Sequence, residues 1–528
     1  MKYYIVKDLK ISIYDNIAPA QKVADLLKIK KEDIIDFAIL RRSLDLRHKE
    51  KDIYTVYTVT FALKHFRSGN RFLEVYEPVK REETKLLKKI NSELRPVIVG
   101  CGPAGLFCAL AFLENGIVPI IVERGKRITQ RIQDIDHFQK NRVINLESNI
   151  CFGEGGAGTF SDGKLTSRSK ASRQNKVLEA FVKYGAARSI LYDHRPHIGT
   201  DVLRKVITNM TDDLMRQGAE FYFNTCLKNV EIKNNVVRAV QCTDLEIKTD
   251  TLFLATGHSA RDVYEMMHVK GLAMESKPFA VGVRIEHLRR DIDRATYQQH
   301  YLKASLPSAE YILKYKDSSG RGVYTFCNCP GGEVVACITE KEMLCINGMS
   351  YSKRDAVNSN SAVVIAIDQK DFSSMMPLAG IEFQKKLENQ AYILGGANYD
   401  APVMSLGDFL SHTDNKGFGK VMPSYLPGIR EADLRDCLPQ SITEPLKRAI
   451  IDFGCKLKGF DSANAYITAA ETRTSSPVRL LRNKNCESIN VKGLFVAGEG
   501  SGYAGGIVSS AIDGIKAAEG CIEIANKL

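Results

Sequence analysis

Gly100, Gly102 and Gly105 stand in the run "VIVGCGPAG" at spacings of two and three, directly after three apolar residues. Glycine weakens strands and helices alike, so such a cluster serves a conformational purpose. The chemistry it suits is the holding of a pyrophosphate. Gly100 permits a tight turn, Gly102 removes a side chain so that phosphate can approach the backbone, and Gly105 lets a following helix pack against a sheet. Pro103 and Ala104 open that helix, whose free N–H groups and positive dipole end would face the phosphates. Glu123 follows 23 positions after Gly100, beside Arg124. A carboxylate there can accept hydrogen bonds from both hydroxyls of a ribose.

These residues need a frame to hold them. "RPVIVG" reads as a near-continuous apolar strand, as buried parallel strands do. "PAGLFCALAFLENG" has helical apolar spacing and ends at Gly116, and "VPIIVERG" is a second buried strand. Together they make a β-α-β unit of about thirty residues, the setting in which a glycine triplet signifies a dinucleotide. "TLFLATGHS" (251–259) is a further buried strand, ending in Ala255, Thr256 and Gly257. "VKGLFVAGEGSGYAGGIVSSAIDGIKAAEG" (491–520) reads as strand, glycine-rich turn and helix, and residues 201–216 read as a helix leading into the strand "AEFYFNTCLKNVEI". No second GxGxxG unit exists, so a separate pyridine-nucleotide domain is not expected.

The pattern resembles the FAD-binding fold of the glutathione-reductase-like flavoproteins. That resemblance implies that the second motif closes the fold. The acid after its strand, Glu499 following Gly498, would hold the ribityl chain where the family usually has Asp. Gly505, Gly506 and Ile507 would face the pyrimidine edge of the flavin, where a helix dipole stabilises negative charge on the reduced ring. Leu227 would lie beside the adenine. The stretches "CFGEGGAGTFSDGKLTSR" (151–168), "KPFAVGVRIEH" (277–287), "YTFCNCPGG" (324–332), "NGMSYSKRD" (347–355) and "ETRTSSPVR" (471–479) accompany these motifs. The combination closely resembles a family of bacterial FAD-dependent dehydrogenases whose physiological reaction is generally unassigned, with "CNCPGG" departing from the Cys-Met-Cys expected there. It is more distantly similar to the geranylgeranyl reductases. The resemblance implies an α/β chain with a single Rossmann-type FAD-binding domain (91–270 and 465–528), an inserted α+β domain (271–464) and a small N-terminal βαββ domain (1–90).

Gly155, Gly156, Ala157, Gly158 and Thr159 lie in a loop of glycines and small polar residues without packing value, suited to backbone that hugs a phosphate or the flavin ring. Lys164, Arg168 and Arg473 are the candidate catalytic cations, placed to favour an anionic reduced ring or to hold an acidic substrate. The expected activity is FAD-dependent transfer of electrons or hydride to or from a small anionic or conjugated molecule. NAD(P)H would act as a transient donor that visits the flavin directly. The alternative reading is a flavin-binding protein whose basic N-terminal domain binds RNA or another macromolecule.

The chain of 528 residues carries a formal net charge of +12, and residues 1–95 hold 21 Lys and Arg against 14 Asp and Glu. Such charge is by default a solvated face, so nucleic-acid binding is not favoured. In that segment "YYIVKDLKISI" and "IYTVYTVTFAL" alternate as strands, "PAQKVADLLKI" has helical spacing, and the charged run 80–90 reads as a helical linker. Thirteen cysteines without CxxC or zinc spacing suggest reduced thiols in a cytoplasmic protein. Cys327 and Cys329 read as core thiols at a strand end, with a redox or metal role as the alternative. His194 and His197 lack the i,i+4 spacing and a third ligand, so no metal site is expected. No Ser-His-Asp or paired-carboxylate pattern indicates hydrolysis. The charged start has no apolar h-region, and glycines and Pro103 divide the apolar stretch 96–113, so no membrane span is expected.

Overall fold

The computed structural model describes residues 2–65, 73–77, 94–167, 171–372, 374–411 and 418–526. Val97–Val99 is the central strand of a five-stranded sheet. Its neighbours, in spatial order, are Leu494–Val496 and Leu252–Leu254 on one side and Ile120–Val122 and Glu220–Tyr222 on the other, all parallel. Parallel strands are covered on both faces, which is why four of the five read as unbroken apolar triplets. The helices Pro103–Glu114 and Ile507–Ala525 pack together in one core beside this sheet. Their contact is backbone on backbone: a Cβ on Gly514 would stand 2.0 Å from the Ala104 carbonyl oxygen. The helix Thr200–Arg216 contributes Leu203, Val206, Ile207 and Met210 to the same core.

A second sheet has seven strands in the order Lys314–Lys316, Gly322–Cys329, Asn358–Ile367, Phe279–Leu288, Tyr466–Glu471, Ala401–Ser405 and Ile429–Glu431. Its pairings are antiparallel except the last. Helices Ala379–Leu394 and Gln440–Lys456 cover it with Leu387, Ala391, Leu446, Ile450 and Phe453. Tyr466–Glu471 pairs with Phe279–Leu288 and Ala401–Ser405 in this sheet, although it lies in the segment from 465 onward expected in the dinucleotide domain. All six of its residues are buried, so its apolar texture matches that of a parallel strand, and only pairing separates the two cases. Met274–Ser276 and Val478–Leu480 form a short antiparallel ribbon beyond it.

The expected single strand after Arg216 is two. Glu220–Tyr222 ends the parallel sheet, Asn224 turns with φ 55°, and Leu227–Lys233 begins a separate three-stranded antiparallel sheet. Its first hairpin turns at Asn234 and Asn235, with φ 51° and 59°, the left-handed pair of a type I′ turn.

The N-terminal segment forms the expected βαββ sheet with one short strand added, in the order Ile34–Asp45, Tyr54–Leu63, Tyr3–Ser12, Glu74–Tyr76. Helix Pro19–Leu27 buries Val23, Ala24 and Leu27 against it. The sheet is docked on the rest of the chain. Arg42 pairs with Asp193 at 2.6 and 2.8 Å and exchanges backbone hydrogen bonds with Tyr192 and His194, and Tyr14 Oη lies 2.7 Å from His300 Nδ1. The expected helix at 80–90 lies outside the described residues. Among the described residues no helix is long and apolar enough to cross a membrane.

Candidate functional site

A cavity of about 700 Å³ is lined from both sheets, reaching from the 100–105 turn to residues 324–327 and 498–507. At the first end Gly100 has φ 107°, and a Cβ on it would meet the Ala255 carbonyl oxygen at 2.4 Å. The turn therefore needs glycine both for its conformation and for its closeness to the next strand. Gly102 faces open space, since a Cβ there would find only the Gly156 Cα, at 3.7 Å. Gly105 does not line the cavity: a Cβ on it would stand 1.9 Å from the Gly100 carbonyl oxygen. Pro103 and Ala104 line the wall where the helix begins, and that helix has no side-chain cap.

Glu123 lines the same end, and its carboxylate already serves the protein. Oε2 accepts from the Cys101 N–H at 2.8 Å, and Oε1 accepts from the N–H groups of Gly125 and Gly153 at 3.0 and 2.9 Å. It ties the glycine turn to the 153–159 loop, a role the sequence reading did not foresee, and it keeps lone-pair capacity for one further donor. Arg124 stacks over the Phe152 ring at 4.4 Å and pairs with Asp262 at 2.6 Å. Leu227 lies on this wall, 4% exposed. Gly156, Ala157 and Gly158 face the cavity, whereas Gly155 and Thr159 stand behind it. The Gly155 N–H donates to the Cys101 carbonyl at 2.8 Å, and Thr159 is fully buried. Buried Arg131 donates to the carbonyls of Asn149, Ile150, Glu154 and Gly156, so this loop is held rather than floppy.

Ala255, Thr256 and Gly257 lead along the wall to the far end, where a Cβ on Gly257 or Gly506 would meet nothing within 4 Å. Gly498 has φ 79° and donates its N–H to Asp513 at 2.8 Å, which Arg482 also holds. Glu499, Gly505, Gly506 and Ile507 line this end, and the helix from Ile507 has no side-chain cap. Burial pushes the Glu499 carboxyl up to about 7. His258, which sequence reasoning passed over, lies 4.0 Å from it. Burial, together with Arg473, Arg261 and Lys277 nearby, holds His258 neutral by lowering it to about 3. Lys277 was also missed as a site residue, although its segment was singled out. Its ammonium lines the cavity, and burial lowers its affinity for a proton. Tyr324, Phe326, Cys327 and Tyr503 complete the far wall.

The expected cations fare differently. Arg473 lines the cavity but donates to both oxygens of Glu388, at 3.0 and 2.8 Å, and to Thr339 at 2.7 Å. Glu388 is fully buried and is held from its other side by Arg261 at 2.7 and 2.9 Å. Burial alone would favour its neutral form, but the two guanidinium groups keep it ionised, well below the usual carboxylate range. Lys164 donates to Asp162 at 2.7 Å and to the Asn328 carbonyl. Arg168 lies outside the described residues. His197 lies 3.8 Å from Asp162 and His194 contacts Arg41, and no group of metal-ligating side chains occurs among the described residues.

Residues 278–474 match the family described as "FAD-dependent protein, C-terminal domain-like", and residues 5–62 match a domain of unknown function. An uncharacterized protein of Clostridium beijerinckii is 42% identical over 528 residues, covering 98% of each chain. Among solved structures, similarity extends to a geranylgeranyl bacteriochlorophyll reductase-like protein of Thermoplasma acidophilum, at 11% identity over 82% of this chain and 78% of that one, with a TM-score of 0.36. A glycine oxidase of Bacillus cereus is similar at 12% identity over 82% and 95%, with a TM-score of 0.33. Likeness at that level leaves activity to be argued from the site itself. The residues present fit FAD. Open glycine backbone at 102, 257 and 506 forms a cradle that any side chain would fill, and two uncapped helix N-termini bound it.

Proposed function

This chain belongs to the family of its Clostridium beijerinckii relative and carries an FAD-dependent C-terminal domain-like region, and from that premise we propose an oxidoreductase that moves electrons or hydride between the flavin and a small substrate. The observation that carries the reading is one cavity bounded by two helix N-termini, the first at the glycine turn and the second at Gly506. In this reading the helix from Pro103 holds the pyrophosphate on its free N–H groups, beside Gly156. Leu227 gives an apolar seat to the adenine, and Glu123 positions the turn and offers its remaining lone pair to the ribose. The helix from Ile507 presents its positive end to the flavin ring. Bound there, FAD supplies the two-electron chemistry, and the protein need only orient and charge the site.

The substrate belongs at the far wall. Tyr324, Phe326 and Tyr503 offer aromatic faces, and the Lys277 ammonium offers a positive charge less fully paired than that of Arg473. That combination suits a small anionic or conjugated molecule. Glu499, whose carboxyl is raised into the neutral range, and neutral His258 can hold or pass a proton beside it. NAD(P)H would reach the flavin through the same mouth. Purified protein should be yellow and release FAD on denaturation, and anaerobic rapid mixing with NADH and NADPH should bleach the flavin with one of them. Protein that neither contains nor takes up FAD would remove the reading. Flavin that neither nucleotide bleaches would remove the donor assignment alone.

A further inference from the structure

We propose that Cys327 and Cys329 form a redox dithiol in the cavity wall that exchanges two electrons with the bound flavin, closing to a disulfide when oxidised. The proposal rests on the flavin reading above. In a regular strand, residues two apart sit roughly 6.7 Å from Cα to Cα, close to the outer limit for bridging by a disulfide. The strand Gly322–Cys329 is not regular there. Its register against Asn358–Ile367 shifts between Phe326 and Cys329, and Cys327 has φ 44°, a left-handed conformation rare for a residue with a side chain. Such outliers gather at functional sites. The two thiols are near enough for each to shift the other's affinity for a proton, Cys327 downward and Cys329 upward. Cys329 Sγ also lies 3.3 Å from the Cys327 carbonyl oxygen.

The two thiols differ in access. Cys327 lines the cavity, whereas Cys329 is fully buried beneath it. That is the arrangement of an outer thiol that reacts and an inner one that resolves. Two cations pin the bulge by its backbone. Arg284 donates to the Cys327 carbonyl at 3.2 Å and stands 3.9 Å from Cys329 Sγ, and Lys164 donates to the Asn328 carbonyl. Arg284 is itself fixed by Glu471, Asn360 and Asn347, and a Cβ on Gly348 would stand 2.3 Å from its Nη1. The neighbouring Cys329 thiol, with help from Lys164 and Arg284, lowers the Cys327 thiol against the effect of burial. Cys151 and Cys337 are a second pair of neighbouring thiols, with Cys151 at the cavity, but neither residue has a left-handed backbone.

The exchange balances without another reagent. Both S–H bonds break and one S–S bond forms; two electrons and two protons leave the thiols, and oxidised FAD takes them up to become its dihydro form. The reverse returns the dithiol. Lys164 and Arg284 thereby acquire a role in the site, acting through the thiols.

Anaerobic dithionite titration of the air-oxidised holoprotein tests this. Full reduction should consume about two electron equivalents per chain beyond those of the flavin. N-ethylmaleimide applied on denaturation should leave the Cys327–Cys329 peptide unlabelled in oxidised protein and doubly labelled after reduction. Cys327→Ser and Cys329→Ser should each bind FAD and lose the extra equivalents. A wild-type titre equal to the flavin alone, with both thiols labelled in oxidised protein, would overturn the proposal. So would loss of the extra equivalents in Cys151→Ser but not in Cys327→Ser. Colourless protein would count against the flavin reading instead, and the labelling pattern in a glutathione buffer would still report whether the pair closes.

Discussion

Arg473 shows how position and charge can separate at the scale of one residue. Its loop brings it to the cavity, yet its guanidinium is committed to Glu388, which it shares with Arg261. Removing one partner of a buried ion pair typically costs 3–5 kcal/mol, and Glu388 would keep Arg261, so Arg473→Ala should lose about 3 kcal/mol of stability. The folded fraction should then be reduced by its electron donor at the wild-type rate. A denaturant titration beside rapid mixing reads both, and a rate slowed tenfold or more would support the catalytic role. Glu499 carries a second expectation. Its carboxyl is raised from 4.5 to about 7 in the folded protein, so folding favours its protonated form. That contribution to stability is complete below about 4.5 and is lost as pH rises through about 7. The melting temperature of flavin-free protein should therefore fall more steeply between pH 5 and 8 in the wild type than in Glu499→Gln. Parallel profiles would show that Glu499 does not titrate there.

The glycine turn divides its work at the scale of the element. Gly102 faces the cavity and Gly105 faces the sheet. A Cβ at 102 would meet only the Gly156 Cα, at 3.7 Å, and the position opens on the cavity, so Gly102→Val should fold with a melting temperature close to wild type and contain no flavin. Gly105→Ala would drive its methyl into the Gly100 carbonyl, a backbone atom that cannot swing aside, and should lose about 1–3 kcal/mol or more. Urea unfolding and the visible spectrum, measured on both, distinguish the two functions of one motif. Equal destabilisation of the two variants would mean that Gly102 is also a packing residue. The spacing of the glycines was legible as a turn, a phosphate approach and a helix contact. The hydrogen bonds that Glu123 accepts from residues 101, 125 and 153 were not, because two of those donors belong to loops whose path no periodicity encodes.

The final sixty or so residues serve both sheets at the scale of the molecule. Tyr466–Glu471 lies between two strands of the seven-stranded sheet, and Leu494–Val496 is an edge of the parallel one. A chain ending at Asp461 should therefore lose more than flavin. With an interior strand missing from one sheet and an edge exposed in the other, it should be largely insoluble, or unfold without a cooperative transition in circular dichroism. A soluble, cooperative, colourless fragment would show that the seven-stranded sheet does not need its interior strand.

Elements set by local pattern were determined by the sequence alone. The strand–turn–helix from Val97, the helix Thr200–Arg216, the closing strand and helix from Leu494, and the N-terminal βαββ order follow from apolar period, glycine placement and helix length. The glycine backbone facing the cavity was legible too, because open turns and uncapped helix starts are written in consecutive residues. What a strand pairs with is not so written. Tyr466–Glu471 has the same buried texture as a parallel strand, and only tertiary structure assigned it to the antiparallel sheet. Charge partners were likewise undetermined: Glu388, on a helix 85 residues before Arg473, decides what that arginine does. His258, Lys277 and Cys327 became cavity residues for the same reason, since convergence of segments distant in sequence depends on long-range packing, which a single chain's local spacing does not record.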